Sequence, residues 1–98
     1  MIHELRTYTL VPGGVRDYLR IYNETGRELQ TGILGRLVAL MTPESGDVNQ
    51  LVFHWSFDSL DERSRRRATL MADPAFAEFR KQVRHLLVRQ ESRLLSAA

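Results

Sequence analysis

The chain contains no cysteine. That absence excludes disulfides, thiolate metal sites and a cysteine nucleophile, and it fits a reducing compartment, so the cytoplasm is the expected location. Long apolar runs are missing too. The longest unbroken aliphatic stretch, Leu37–Met41, falls far short of the roughly 20 residues that a membrane-spanning helix requires. Glu4 and Arg6 stand where a signal peptide would need an apolar core, so no membrane insertion is expected. Nor is there an excess of one charge: 14 basic and 12 acidic residues leave a formal net charge of +2, too small a field to argue for nucleic acid as a partner.

What is present describes a globular domain. The 98 residues, 43% of them hydrophobic and 27% charged, make a single domain that buries about 60–65% of its unfolded surface. A chain this small gains from burying more by self-association. No repeat or linker interrupts it. A strand is predicted over Ile2–Leu10, closed by Val11-Pro12-Gly13-Gly14, where proline removes a ladder donor and paired glycines favour a turn. Val15, Tyr18, Leu19 and Tyr22 then recur at i, i+3, i+4 and i+7, one apolar helical stripe, with the helix ending near Gln30 to Gly32.

Ile33–Met41 and Asn49–Phe57 read as two strands joined by a hairpin loop of turn-forming residues. Ser59 followed by Glu62 makes a capping box that starts a helix at about Leu60. Asp73-Pro74, a cap with proline at the first helical position, starts another, whose stripe is Phe76, Phe79, Val83, Leu86 and Leu87. Val88–Leu95 reads as a closing strand. The order βαββααβ is that of the α+β ferredoxin-like fold: an antiparallel four-stranded sheet with its helices on one face.

Alternation along the strands suggests that both faces of this sheet are apolar. In the third strand Leu51, Phe53, Trp55 and Phe57 share one face while Val52 joins His54 and Ser56 on the other; in the second, Leu37, Ala39 and Met41 oppose Val38 and Leu40. Helices cover one face only. Leaving large apolar side chains wet costs about 1.5–3 kcal/mol each, so the second face is expected to be buried against another copy of the chain, a homodimer with its sheets face to face.

The segments IHELRTYTLVPGG, NQLVFHWSFDSLDERSRRR, DPAF and VRQESRLL, in this order and spanning essentially the whole chain, resemble the NIPSNAP family of the dimeric α+β barrel superfamily. The resemblance implies one domain over residues 1–98 and a homodimer whose two sheets close a barrel. For the family no general catalytic activity is settled. The wider superfamily includes cofactor-independent monooxygenases, haem-degrading enzymes and small-ligand isomerases or lyases that use the cavity between sheet and helices. Function resides in sites grafted on a fold, so membership alone transmits no reaction.

Glu4, Arg6 and Tyr8 lie on one face of the first strand and are the leading candidates to line a ligand pocket. Glu4 and Arg6 can pair and orient a polar ligand, leaving Tyr8 as donor or acid. The row is expected to face the closed space under the dimer, and the plainer account, a structural salt bridge within the dimer with Tyr8 supplying buried area, is favoured. His54 joins them if the even-numbered face of its strand is the inner one, where an imidazole beside Tyr8 or Glu4 can act as base. A lone histidine on a largely apolar strand is more often a packed core residue. His3 and His85 share no metal-ligand spacing with it, and neither a metal nor a cofactor is expected. Phe53, Trp55 and Phe57 read as core rather than an aromatic wall. Arg63, Arg65, Arg66 and Arg67 read as a solvated helix face, held by Asp61–Arg65 and Glu62–Arg66 ion pairs and not by a phosphate chain.

The sequence therefore points first to a NIPSNAP-like homodimer that binds a small, partly apolar ligand or serves as an interaction module. Two alternatives stand beside it. One is a cofactor-independent monooxygenase or isomerase using Tyr8, His54 and the Glu4/Arg6 pair, and the other is a purely structural partner-binding protein.

Overall fold

Strand β1 (Ile2–Leu10) lies inside the sheet, paired antiparallel with β3 (Gln50–Phe57) on one side and β4 (Leu87–Ser96) on the other. β2 (Arg36–Met41) adds to the far side of β3, giving four strands in the order β2-β3-β1-β4. The two central strands are thus distant in sequence, and helical crossovers join the pieces, as the ferredoxin-like pattern requires. The computed structural model describes residues 1–98. None of its helices is long and apolar enough to cross a membrane.

After Gly13, which takes a left-handed φ of 79°, α1 (Gly14–Ile21) runs without a break into a π-helical turn (Tyr22–Gly26) and then α2 (Arg27–Leu34). The helix therefore reaches further than expected: Ile33 and Leu34 belong to it and not to β2, which begins at Arg36. Leu34 is buried, Gly35 ends the helix at φ 96°, and Arg66 Nη1 donates to the Ile33 carbonyl at 3.0 Å, a cation at a helix C-terminus. Gly26 persists inside the helix because Phe79 presses on it. A Cβ there would sit 2.8 Å from the ring.

α3 (Leu60–Ala72) starts at the expected Ser59 cap, whose Oγ accepts from the Glu62 N–H at 3.1 Å, while the Glu62 carboxylate accepts from the Asp58 N–H at 3.0 Å. α4 (Pro74–Val83) starts at the expected Asp73 cap, which accepts from the Phe76 N–H at 2.8 Å. A single 3-10 turn (Arg84–Leu86) leads into β4.

The helices cover the face of the sheet that carries Leu51, Phe53, Trp55 and Phe57, none more than 2% exposed. Tyr18, Tyr22, Phe76 and Phe79 pack onto it in tilted and edge-on ring contacts. The aromatic row of β3 is core, as expected. In β2 the register slips between Leu37 and Ala39, so Leu37 and Leu40 oppose Trp55 and Phe53 on the helical side while Ala39 and Met41 oppose His54 and Val52 on the other. This bulge breaks the strict alternation expected for β2. The open face is accordingly mixed: Leu5, Val52, Ala39 and Met41 share it with Thr7, Gln50, Glu91 and Arg93.

Candidate functional site

The register of β1 on β3 sets Glu4 opposite Trp55, Arg6 opposite Phe53 and Tyr8 opposite Leu51, so the polar row of β1 points under the helices into the protein's own core. Glu4 is fully buried there. Its Oε1 accepts from Arg63 Nε at 2.9 Å; its Oε2 accepts from Arg63 Nη2 and Arg6 Nη1 at 2.9 Å each and from Ser92 Oγ at 2.6 Å. Burial by itself raises the pKa of this carboxyl, but the bonds from Arg63, Ser92 and Arg6 outweigh it and hold the group at about 2. A carboxylate so saturated is a poor proton acceptor. Glu4 anchors α3 and β4 to β1, and the expected Glu4–Arg6 pair is real but is one arm of a larger knot.

Beyond this knot the helices and sheet leave a cavity of about 210 Å³. Arg6 and Tyr8 form its floor, with Arg6 Nε 3.4 Å from the Tyr8 hydroxyl. Apolar and aromatic walls come from Tyr18, Leu70, Phe76, Phe79, Val83 and Leu87. Gln30 also reaches the cavity, fixed by a 2.6 Å hydrogen bond donated by the Tyr22 hydroxyl to its Oε1. The π-helical turn carries Tyr22 and Gly26, so this irregularity positions both the Gln30 clamp and the Phe79 wall. Burial pushes the Tyr18 phenol well above its usual range, with Tyr8 and Tyr22 adding to it, and the group stays protonated. No carboxylate and no imidazole lines the cavity; its charged lining is Arg6, Arg67, Arg80 and Arg84.

His54 is not among these residues. It lies opposite Leu5, on the open face of the sheet, and its Nε2 is 2.9 Å from His3 Nδ1. The expected meeting of His54 with Tyr8 or Glu4 does not occur, because odd-numbered residues of β3 pair with even-numbered residues of β1 and the inner face of β3 is the aromatic one. Burial, helped by the neighbouring His3, lowers the His54 pKa. No group of three or more histidines, carboxylates or cysteines is placed to hold a metal ion.

The arginines of α3 correct a second expectation. Only Arg65 is exposed; Arg63, Arg66 and Arg67 are half-buried. Arg63 grips Glu4, Arg66 pairs with Glu62 at 2.9 Å and caps α2, and Arg67 lines the cavity. Asp61 and Arg65 form no ion pair, whereas the Glu62–Arg66 pair is present as expected. The signal was in the sequence: Arg63, Arg67 and Leu70 fall at i, i+4 and i+7, so the arginines occupy the inward stripe that Leu70 continues.

The comparisons agree with this architecture. The model of the NIPSNAP family matches residues 3–98. Among solved structures, a nipsnap family protein with unknown function from Agrobacterium tumefaciens is 40% identical, with a TM-score of 0.96 over 100% of this chain and 88% of that one. An uncharacterized NIPSNAP domain protein from Burkholderia xenovorans is 36% identical, with a TM-score of 0.95 over 100% of this chain and 95% of that one. A putative antibiotic biosynthesis monooxygenase from Nitrosomonas europaea, 6% identical, shares the fold alone, at a TM-score of 0.72 over 99% of this chain and 98% of that one. No curated protein matches the sequence. With the family pattern running from His3 to the last residue and close structural kin of the same description, the chain belongs to the NIPSNAP family.

Proposed function

We propose that the protein binds a small, partly apolar molecule in the cavity between its sheet and helices, and that it does so as a homodimer joined through the open face of the sheet. The cavity carries the reading. At about 210 Å³ it exceeds the roughly 150 Å³ of an apolar cavity that admits benzene. Its aromatic walls meet a few fixed polar groups, among them Arg6, Tyr8 and Gln30, the composition that small-ligand sites share. Dimerisation is supported by Leu5, Val52, Ala39 and Met41 on the uncovered face, together with Val38, 45% exposed at the bulge.

A reaction has less support. The monooxygenase or isomerase alternative needs Tyr8 beside a base, but His54 lies across the sheet and Glu4 is locked as an ionised anchor. Neighbours described as antibiotic biosynthesis monooxygenases contribute the fold and no residue of a site. Mass spectrometry of the native protein tests both parts: a bound small molecule that Tyr8→Trp expels, on a particle of twice the chain mass, is the expected result. A monomer refutes the dimer, and a particle to which no small molecule binds leaves the partner-binding alternative in possession.

A further inference from the structure

The reading that the cavity binds a small molecule can be deepened, because charge around the cavity is unbalanced. Four arginines line it and no acidic residue does. Glu4, just behind the floor, is shared between Arg6 and Arg63, so one negative charge serves two positive ones. Arg67, Arg80 and Arg84 form no ion pair. The Nε of Arg80 is buried without a hydrogen-bond partner, while its guanidinium lies over the Phe76 ring at 5.8 Å. Burial lowers the pKa of Arg67, and repulsion from Arg6 adds to the effect. Cations held in a partly dry site without counter-charge are costly, and an anion delivered from solution relieves that cost.

We infer that the cavity selects small monocarboxylates with an apolar body: the ring or short chain lies among Tyr8, Tyr18, Phe76 and Phe79, and the carboxylate is gripped by Arg67 and Arg80. A planar carboxylate matches the guanidinium fork, which can offer two parallel N–H donors. The volume sets the size, enough for one aromatic ring with a short acidic arm. Arg84, exposed at the mouth, draws the anion in and is lost to salt screening first.

The probes are phenylacetate and hexanoate with their uncharged counterparts phenylacetamide and hexanol, titrated into the intact protein by calorimetry and by chemical-shift mapping. Each acid is expected to bind at least about tenfold more tightly than its neutral counterpart, as for a charge-assisted bond. Arg67→Met and Arg80→Met each erase that preference, weakening the acids far more than the neutral probes. Arg84→Gln weakens the acids modestly and flattens their salt dependence, and it keeps the test open if either inner variant fails to fold. Neutral probes that bind as tightly as the acids overturn the anion assignment and leave the binding cavity intact. If none of the four probes shifts the resonances of Tyr18 or Phe79, the cavity reading falls and the anion assignment falls with it.

Discussion

Replacing Glu4 by Gln keeps the shape of the side chain and removes its charge, stranding Arg6 and Arg63 in a buried place. The expected cost can be worked in two ways. The carboxyl sits at about 2 in the folded chain against an ordinary value of 4.5, and at about 1.4 kcal/mol per pH unit that gap is worth about 3 kcal/mol. Removing one partner of a buried ion pair independently costs about 3–5 kcal/mol. For a domain of this size each kcal/mol lowers Tm by about 4–8 °C, so the variant melts well below the parent. The sign of the pH dependence follows from the lowered pKa. Glu4 contributes its full stabilisation above the unfolded pKa, and loses it as pH falls from about 4.5 towards 2. Urea titrations followed by Trp55, the single tryptophan and fully buried, therefore show parent and Glu4→Gln about 3 kcal/mol apart at pH 7 and converging as pH falls from about 4.5 towards 2. Two curves separated by less than about 0.5 kcal/mol at pH 7, or by a constant gap down to pH 2, refute the account of Glu4 as an ionised anchor.

Gly26→Ala drives a Cβ to 2.8 Å from the Phe79 ring and is expected to cost about 1–3 kcal/mol in chemical denaturation, against the small gain that alanine usually brings to a helix. Asp73→Ala removes the acceptor for the Phe76 N–H and is expected to lower stability by about 1 kcal/mol, with Asp73→Asn recovering most of it. The lowered pKa of His54 means that the unfolded chain protonates first: stability present above the unfolded value is lost as pH falls through the folded one. Thermal melts from pH 7.5 to 5.5 check this, and His54→Gln flattens that part of the profile.

The elements themselves were legible because each carried its own chemistry. Val15, Tyr18 and Tyr22 recur at helical spacing, Ser59 and Asp73 are capping residues that do cap, and Leu51 to Phe57 alternate with the period of a strand. What resisted reading was set by long-range packing. The expected helix passes Gly26 and ends near Gln30 to Gly32, but nothing local marks the π-helical turn inside it or its continuation to Leu34, and the contact of Phe79 with Gly26 comes from another helix. The bulge at Val38 similarly changes the facing of Ala39 and Leu40 without any breaker residue in β2. The placing of Tyr8 and His54 on opposite faces depends on the register of β1 against β3, two strands joined by no hairpin, so no turn fixes their offset. The arginines of α3 depart from expectation for another reason: charge ordinarily marks solvent, whereas buried Glu4 makes an inward Arg63 favourable.

That last point ties the fold to the site. Along the inner stripe of α3, Arg63 and Arg67 are one turn apart and meet opposite circumstances: the first finds Glu4 and docks the helix on β1, while the second forms no ion pair and is repelled by Arg6 more strongly than Glu4 attracts it. The sheet supplies a single buried carboxylate on this face, too few for the cations aimed at it. An acid in place of Tyr8, which lines the gap, would supply a second carboxylate from within and offset part of the unmatched charge. The chain instead keeps aromatic walls beside unmatched guanidinium groups. Stability at the Arg63 end and recognition at the Arg67 end are thus the same interaction, with the carboxylate supplied from within in one case and from solution in the other.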